Sequence, residues 1–393
     1  MRRAENGAYL TVGGVEVELF SDMFWRRTRE KYGVPDDFLA STSTFSFEQL
    51  KGEAGKGGGK GGNRMAFDKT DRKYLVKELS GGDHEMLKKL ANELEGHIDS
   101  DDGSLLARFF LHFKCPGAKA LTGGTSEVFV VMNNWLVHPE GFPRAYDAVY
   151  DLKGCADDKT LVLDRQAVAA VHKRIWNVGM WVSKHTWSSE RHAYYQGKVS
   201  AVSTQFHVTY AQRQRIVHAL HKDIKLLKLL GLMDYSLIVG VRSVAMEDAR
   251  RDPALLAAMP STVARGVKAF DDTPRASPRG AAAMATDGDD PTRVQPIVSV
   301  RGDRVFLLYV GVIDYLQSWG AGKYVANAIK VAERNKATVP PREYGDRFVK
   351  YFEEKFVADA LPYEARAPPP ARARAQRSER SPLRPSRVVG RVV

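Results

Sequence analysis

Hydrophobic and polar positions alternate with two different periods along this chain, and the order of these periods predicts its fold. Apolar residues at helical spacing indicate helices at 20–32 and, more strongly, at 83–97. Short apolar runs typical of strands flank the second helix, at 65–67, 73–79, 105–113 and 128–132. A strand pair, a helix and further strands form the order expected of an α+β nucleotide-binding lobe. We predict that lobe over 20–134, after an extension at 1–19.

The second half of the chain predicts a C-terminal lobe over 135–362. Strands are expected at 146–153, 160–163, 237–241 and 304–313, and helices at 166–182 and 210–230. The run 305–312 is almost wholly apolar, which is typical of a strand buried on both faces. Between the last two strands, residues 245–296 are rich in Ala, Pro, Gly, Arg and Asp, and we interpret them as a disordered insertion.

One acidic residue needs an explanation because it follows the helix predicted at 210–230 and lies among apolar neighbours. Asp234 is next to Met233 and close to Leu237 and Ile238. A carboxylate in such surroundings loses hydration on folding, and that cost is tolerated when the group is paired, binds a metal or does chemistry. A lone aspartate at such a place is more often a turn or capping residue, so Asp234 by itself leaves both interpretations open.

Four short segments along the chain favour a functional role. They read EVFVVMNN at 127–134, YDLKGC at 150–155, LMDYSLIVG at 232–240 and GVIDYLQ at 311–317. In this order they resemble the phosphatidylinositol phosphate kinase family, whose hallmarks are VMNN, DLKGS, MDYSLLVG and IID segments. The resemblance extends from about residue 24 to about residue 356. It implies an α+β, two-lobed, kinase-like catalytic domain with antiparallel sheets and helices, and with ATP bound between the lobes.

The resemblance gives Lys77 a role in binding the nucleotide. Strand alternation places Lys77 on one face with Leu75 and Leu79, so its cation requires a partner. Lys77 is equivalent to the lysine of the family's IIKTI strand, which contacts ATP phosphates. Glu85, early in the following helix, is expected to pair with Lys77 as a helix glutamate does in protein kinases. The alternative for Glu85 is an exposed charge on the helix surface.

The resemblance also assigns the acidic and amide residues of the site. Asp314 matches the IID segment and is expected to bind Mg²⁺, which needs only one or two carboxylates beside phosphate oxygens and water. A turn aspartate is the alternative. Asp234 is expected either to orient the inositol hydroxyl and accept its proton or to help hold the metal. Asn133 and Asn134 fall at the junction of the lobes, where backbone groups could contact adenine.

A glycine- and lysine-rich segment at 51–62 precedes the first strand pair of the N-terminal lobe. Glycine lets backbone N–H groups approach phosphates closely, although a plain flexible linker has the same composition. The segment fits the GKSGS-like turn of the family, while Asn63 and Arg64 depart from its small and aromatic residues. The nucleotide-binding residues expected here are Gly59, Lys60, Gly61 and Gly62.

Substrate recognition is expected from two further places. Lys153 of the DLKGC segment is expected to contact a lipid phosphate, and Cys155 replaces a serine hydroxyl there. Residues 319–339 correspond to the family's activation loop, where Lys323 and Lys330 are expected to bind anionic headgroups, unless they are solvated charges on a surface helix. Ala326 replaces the Glu of the family's phosphatidylinositol 4-phosphate 5-kinases, which leans toward the 4-kinase type.

Charge and composition bear on the cellular setting. Of the formal net charge of +12, the segment 366–393 carries eight Arg and one Glu, and we predict a basic disordered tail at 363–393. The tail suits anionic lipid better than nucleic acid because it has no interleaved aromatic residues. We found no transmembrane run, no signal core and only two cysteines. We expect a cytoplasmic protein, peripheral at the cytosolic face of membranes, and a possible homodimer.

Two functions from different classes follow from these observations. The favoured function is a kinase that uses ATP and Mg²⁺ to convert a phosphatidylinositol monophosphate to a bisphosphate, with phosphatidylinositol 4,5-bisphosphate as the expected product. The alternative is a weakly active or inactive phosphoinositide-binding scaffold, motivated by the altered glycine segment and by Cys155. Retention of Lys77, Asp234 and Asp314 favours the enzyme. A protein kinase is less favoured, because no HRD or DFG signature occurs.

Overall fold

Two antiparallel sheets, one in each half of the chain, organise the computed structural model. It describes residues 3–4, 7–51, 64–100, 103–138, 140–171, 185, 187–259, 295–319 and 339–359. In both sheets the strands bury apolar side chains, and helices pack against them, as predicted for an α+β protein. The two-lobed, antiparallel fold class expected from the sequence is confirmed.

The N-terminal sheet has seven strands. They are β1 (Arg3–Ala4), β2 (Gly7–Val12), β3 (Val15–Leu19), β4 (Met65–Phe67), β5 (Tyr74–Glu78), β6 (Phe109–Lys114) and β7 (Val128–Asn133). Their spatial order is β1-β2-β3-β6-β7-β5-β4, and all neighbours are antiparallel. The extension predicted at 1–19 is therefore largely part of the sheet. Val12, Val17 and Leu19 bury against its core, which gives these strands their stability.

Among the residues described in the first half, three α-helices and one 3-10 helix accompany the first sheet. They are α1 (Asp22–Lys31), the 3-10 helix (Phe47–Leu50), α2 (Gly81–Ile98) and α3 (Ala118–Thr122). The Ser80 side chain accepts a hydrogen bond from the Asp83 N–H and so caps the start of α2. Leu87, Leu90 and Leu94 are buried at helical spacing. The helix predicted at 83–97 is confirmed.

The second half of the described chain contributes eight strands. They are β8 (Ala148–Leu152), β9 (Lys159–Leu163), β10 (Gln166–Ala167), β11 (Phe206–Val208), β12 (Ser236–Ala245), β13 (Ile297–Arg301), β14 (Arg304–Ile313) and β15 (Phe356–Ala358). Six form an antiparallel sheet in the order β10-β9-β8-β12-β14-β13, and β11 pairs with β15 in parallel. Within β14, residues 307–312 are continuously buried, as its apolar composition predicted.

Helices pack around this second sheet. They are α4 (Ser189–Ser203), α5 (Tyr210–Leu229), α6 (Met246–Arg251), α7 (Pro253–Ala258) and α8 (Pro341–Lys355). A capping box formed by Thr209 and Gln212 starts α5, and its buried face includes Ile216, Ile224 and Leu227. The helix predicted at 210–230 is thus confirmed. Helices α4 and α8 were not predicted.

Two sequence predictions are corrected in this half. The helix expected at 166–182 is wrong at its start, because Asp164 and Arg165 adopt positive φ angles and turn the chain back, so that Gln166 pairs with Leu163. Residues 172–184 lie outside the described part of the chain. The disordered insertion expected at 245–296 is wrong for its first part, because α6 and α7 lie there. Residues 260–294 lie outside the described part.

The two sheets are joined by backbone contacts as well as by a shared core. The N–H of Val312 in β14 donates to the carbonyl of Leu105, and the N–H of Ala107 donates to the carbonyl of Val312. One cluster of buried side chains includes residues from α2 and β6 of the first half and from β12, β14 and α8 of the second. The segment that enters β6 is therefore held at the end of β14, where the candidate site begins.

Candidate active site

The register of the second sheet places three functional candidates at one edge. Ser236 at the start of β12 pairs with Ile313 at the end of β14, and Leu237 pairs with Leu152 at the end of β8. Asp234 lies just before β12, and Asp314 and Lys153 follow β14 and β8 directly. Strand pairing therefore collects residues that are far apart in the sequence.

The two aspartates share an unusual backbone conformation. Asp234 has a φ of 66° and Asp314 a φ of 59°, both in the left-handed region that few residues other than glycine adopt. Aspartate tolerates this region better than most residues, at a cost on the order of 1 kcal/mol or more. Such strained residues cluster at functional sites. The turn residues Asp164 and Arg165 adopt the same conformation, so it agrees with either a turn role or a functional role, and the functional role of Asp234 and Asp314 stays a prediction.

The ion pair between Lys77 and Asp314 joins the two sheets. The Lys77 ammonium on β5 donates to Asp314 Oδ1, and 52% of the Asp314 side-chain surface remains accessible, so the pair opens onto solvent. Burial lowers the pKa of Lys77, but the carboxylates around it, Asp314 foremost, outweigh this and raise that pKa above its ordinary value.

The opposite balance applies to the aspartate. Burial raises the pKa of Asp314, but Lys77, together with Lys153 and Lys159, outweighs it and holds that pKa below its ordinary value. The carboxylate of Asp314 is therefore ionised at neutral pH, which is the state that a metal ligand requires.

A second ion pair lies at the same edge of the sheet. The Lys153 ammonium donates to the carbonyl of Asp234 at 2.8 Å and also to its carboxylate. The loop that carries Lys153 is held by Asp158, which accepts from the N–H of Lys153 at 2.6 Å and from the hydroxyl of Tyr351 at 2.6 Å. The expected substrate residue Lys153 and the expected catalytic residue Asp234 are thus brought together.

Cys155 lies in the same loop but is buried. Its N–H donates to Asp158 Oδ1 at 3.3 Å. Burial raises the pKa of the Cys155 thiol to about 11, so the thiol is neutral at physiological pH. Cys155 therefore acts as a small buried side chain in the loop that carries Lys153.

A third ion pair was not predicted from the sequence. Lys159 at the start of β9 lies 2.8 Å from Asp151 Oδ2, and the other carboxylate oxygen of Asp151 is buried without a hydrogen-bond partner among the described residues. Burial lowers the pKa of Lys159, but Asp151 and Asp314 together raise it above its ordinary value. The sequence contains a signal for Asp151, because this residue belongs to the DLKGC segment. The sequence contains no such signal for Lys159, because its position opposite Asp151 depends on a bulge between Val149 and Tyr150.

The expected pairing of Glu85 with Lys77 is wrong. Glu85 is 69% exposed on α2, and its carboxylate lies 3.7 Å from the Lys88 ammonium and 3.5 Å from His84 Nε2. Lys77 pairs with Asp314 from the other half of the chain instead. Leu87 and Leu90 turn toward the core, which leaves Glu85 on the solvent side of α2. The alternative interpretation, an exposed helix charge, agrees with this structure.

Asn133 and Asn134 use their side chains to shape the connection between the lobes. Asn133 Oδ1 accepts from the N–H of Arg108 at 2.7 Å. The amide of Asn134 donates to the Arg72 carbonyl at 2.8 Å, and its oxygen accepts from the N–H of Leu136 at 2.9 Å. These contacts fix the segment after β7, and contact of its backbone with adenine stays a prediction.

Several expected residues lie outside the part of the chain that the structure describes. They are Gly59, Lys60, Gly61 and Gly62 of the glycine-rich segment, and Lys323 and Lys330 of the region compared with the activation loop. Within the described ranges there is no group of three or more His, Cys, Asp or Glu side chains that could hold a metal ion. The same ranges contain no helix with the length and apolar composition that a membrane crossing requires.

Two antiparallel lobes meet at an ionic cluster, as expected for the kinase-like class of protein. Comparison with known families gives the particular one. The model of the phosphatidylinositol-4-phosphate 5-kinase family matches residues 52–355, which is most of the chain. The chain belongs to this family, as the four sequence segments indicated.

Relatives named as 4-phosphate 5-kinases and as 5-phosphate 4-kinases match this chain with similar sequence identity. Phosphatidylinositol 4-phosphate 5-kinase type-1 beta of Mus musculus is 23% identical over 356 residues, covering 86% of this chain and 57% of the mouse protein. Phosphatidylinositol 5-phosphate 4-kinase type-2 gamma of Danio rerio is 23% identical over 366 residues, covering 87% of this chain and 77% of the fish protein. The chain thus spans little more than half the length of the mouse relative.

Proposed function

We propose that this chain is an ATP-dependent lipid kinase that transfers the γ-phosphoryl group of ATP to a hydroxyl of a phosphatidylinositol monophosphate. The observation that carries the proposal is the contact of Lys77 from one lobe with Asp314 from the other, at the sheet edge that also bears Asp234 and Lys153. Phosphoryl transfer depends mainly on positioning and on neutralising charge, and a cluster of alternating cations and carboxylates supplies both.

Each side chain has a role that follows from its charge and place. Lys77 binds nucleotide phosphates in exchange for the Asp314 carboxylate. Lys153 binds the phosphate of the lipid headgroup. To do so, its ammonium leaves Asp234, and the carboxylate of Asp234 becomes free. Asp234 then orients the inositol hydroxyl and accepts its proton, or it shares the metal with Asp314. In each role, a side chain leaves its partner in the ion pair and binds a substrate group instead.

The residues present fit Mg²⁺ only together with the nucleotide. Asp314 offers a carboxylate that is half exposed, and Mg²⁺ is commonly bound by one or two carboxylates, phosphate oxygens and water. Asp314, assisted by Asp234, would hold the ion. The ion supplies electrostatic stabilisation of the charge that develops on the transferred group. Orientation of the hydroxyl and binding of the phosphates remain tasks of the protein side chains.

The favoured product is phosphatidylinositol 4,5-bisphosphate. The mouse relative is named for a 5-kinase activity on the 4-phosphate, and the fish relative for a 4-kinase activity on the 5-phosphate. Both activities lead to the same bisphosphate. Ala326 favours the 4-kinase type. The chain is 23% identical to each of the two relatives, so overall identity does not argue against that type. The reaction requires peripheral binding at an anionic membrane.

The test is transfer of radiolabelled phosphate from ATP to each of the three monophosphate lipids in vesicles. We expect transfer to at least one lipid, and we expect Asp234→Asn and Asp314→Asn each to reduce it on the order of 100-fold or more. Asparagine also tolerates the left-handed conformation, so both variants should fold. Asp248→Asn, at an exposed position on α6, is the matched control. Absence of transfer from folded wild-type chain would support the phosphoinositide-binding scaffold instead.

A further inference from the structure

A buried carboxylate adjoins Lys77 and has no part in the site described so far. Glu78 ends β5 and is only 1% exposed. Because side chains alternate along a strand, Glu78 points to the face opposite Lys77 and its partner Asp314. A buried carboxylate is costly unless several donors satisfy it. The donors around Glu78 therefore show what the residue holds in place.

The carboxylate of Glu78 accepts hydrogen bonds from two separate stretches of backbone. Its Oε2 accepts from the N–H of Arg64 at 3.0 Å. Its Oε1 accepts from the N–H groups of Thr125 at 2.7 Å and Ser126 at 2.5 Å, and from the Thr125 hydroxyl at 3.3 Å. Hydrogen bonds to an ionised acceptor are roughly twice as strong as neutral ones. Glu78 thus joins the residue before β4 to the loop before β7.

Arg64 extends this arrangement across the glycine-rich segment. Its guanidinium donates from Nη1 to the carbonyl of Leu50 and from Nη2 to the carbonyl of Gly123, both at 2.8 Å. Its carbonyl accepts from the N–H of Glu78 at 2.8 Å. Leu50 precedes the glycine-rich segment and Arg64 follows it. Leu50 and Arg64, which flank this segment, are therefore held together by the buried side chain of Arg64.

Two glycines let the loop before β7 approach the side chains of Glu78 and Arg64 closely. A Cβ atom at Gly124 would lie 2.8 Å from Glu78 Oε1, which is closer than real Cβ contacts. Gly123 has a φ of 66° and would bring a Cβ within 3.4 Å of Arg64 Nη2. The surroundings of both charged groups are thus built from backbone at short distance, so the network permits little rearrangement.

We propose that Glu78 and Arg64 are positioning residues of the nucleotide site. The inference rests on the proposed function. Glu78 fixes the end of β5, and with it the direction from which Lys77 reaches the nucleotide phosphates. Arg64 and Glu78 together hold Leu50 and Gly123 beside the start of β4. Both residues act through others, so they should govern affinity for the nucleotide and leave affinity for the lipid unchanged.

The first test is Glu78→Gln, which keeps the side-chain volume but removes the charge and presents one NH₂ group to backbone donors. We expect KM for ATP to rise on the order of tenfold, with KM for the lipid unchanged. The melting-temperature shift produced by ATP should shrink. Glu48→Gln, at an exposed position beside the same segment, is the matched control and should behave as wild type.

The second test asks whether the two residues act as one unit. Arg64→Met keeps the apolar stem and removes the donors to Leu50 and Gly123. We expect the double variant Arg64→Met/Glu78→Gln to lose less nucleotide affinity than the two single losses combined.

The outcomes separate this inference from the proposed function. If wild-type chain shows an ATP shift and folded Glu78→Gln shows the same shift and the same KM, the positioning role is overturned. Additive effects of the two substitutions would overturn their action as a unit. If wild-type chain shows neither an ATP shift nor phosphate transfer, the proposed function itself fails.

Discussion

At the scale of single residues, the candidate site balances lysines against aspartates. Lys77, Lys153 and Lys159 each contact one carboxylate, and the three carboxylates belong to neighbouring strand ends. Each ion is therefore compensated without a ligand. Under the proposed function, a nucleotide with its metal would bring phosphate for the lysines and a cation for the aspartates, so we expect binding to exchange partners and to leave no charge unpaired.

Lys77→Met provides a prediction for this exchange. Methionine keeps most of the buried stem and deletes the charge, so we expect a much smaller ATP-dependent shift in melting temperature and little change in melting temperature without ATP. The same substitution at Lys88, exposed on α2, should leave the ATP shift intact. An undiminished shift in Lys77→Met would exclude Lys77 as a phosphate ligand.

His112 is a second residue whose environment predicts a measurable property. It is buried on β6, and its Nε2 lies 2.9 Å from Nδ1 of His84. Burial, with smaller effects of His84 and Lys88, lowers the pKa of His112 from 6.5 to about 3. The folded chain therefore keeps this imidazole neutral at pH values where the unfolded chain takes up a proton.

The buried, neutral His112 makes the stability of the folded chain depend on pH. Between pH 6.5 and about 3 the unfolded chain binds one more proton at this position, so His112 makes the chain less stable as the pH falls. Its contribution between pH 6.5 and 5 is about 2 kcal/mol. We expect His112→Phe to remove that part of the slope in urea unfolding at the two pH values. His218→Phe, at an exposed position on α5, should keep it, and equal slopes in wild type and His112→Phe would contradict the prediction.

At the scale of elements, two glycines in neighbouring strands admit the connection between the lobes. A Cβ atom at Gly311 in β14 would lie 2.1 Å from the Trp135 ring, and one at Gly240 in β12 would lie 2.5 Å from Leu136. Trp135 and Leu136 follow directly on Asn133, which ends β7, and Asn134. The connecting segment can therefore lie flat on the second sheet only because these positions lack side chains.

Gly311→Ala is the prediction that belongs to this scale. The added methyl group must displace Trp135, so we expect a loss of about 1–3 kcal/mol in the free energy of unfolding. Kinase activity should also fall, because the displaced segment sets the position of the lobes. Gly96→Ala in α2 is the control, since nothing lies within 4 Å of its Cβ, and alanine there should be neutral or stabilising. Equal stability of the two variants in urea unfolding would refute the packing argument.

At the scale of the whole molecule, the halves of the chain are tied together at some distance from the site. Asp223 of α5 is fully buried and accepts from the Ser104 hydroxyl at 2.9 Å and the Leu105 N–H at 2.7 Å, and it lies 2.7 Å from His97 Nε2 of α2. This network links α2 to α5, and α5 leads to Asp234. The position of the first lobe is thereby coupled to the aspartate that we expect to meet the substrate.

Membrane binding is the prediction for the whole chain, and it separates the basic tail from the region compared with the activation loop. Truncation after Pro362 removes eight arginines, so affinity for anionic vesicles should fall and become less sensitive to salt, while turnover on saturating micellar lipid persists. Lys323→Glu with Lys330→Glu should lower turnover even at high lipid, because these residues are expected to hold the headgroup.

Charge reversal at Lys89 with Lys119, both exposed, controls for the change in net charge and should leave turnover at high lipid unaffected. Vesicle sedimentation and kinase assays measure the two effects separately. A truncated chain without micellar activity, together with a fully active loop variant, would contradict this division of roles.

The sequence by itself determined the elements whose signals are local. The apolar spacing of α2 and α5 and the apolar run of β14 identified these elements, because each period reports which face is buried. The motif segments likewise identified the family and pointed to Lys153, Asp234 and Asp314, while strand alternation pointed to Lys77. Residues Lys77, Lys153, Asp234 and Asp314 form ion pairs at neighbouring strand ends, and their functional roles stay predictions.

The tertiary structure decided which of these residues are partners. Lys77 meets Asp314 and leaves Glu85 in solvent, and Lys159 meets Asp151, because strand register and helix rotation set distances that no local pattern encodes. The same holds for residues 7–19, whose short alternating runs gain stability only by pairing with β6 across nearly a hundred residues. Contacts between distant segments depend on the packing of the whole core, and that packing exists only in the folded chain.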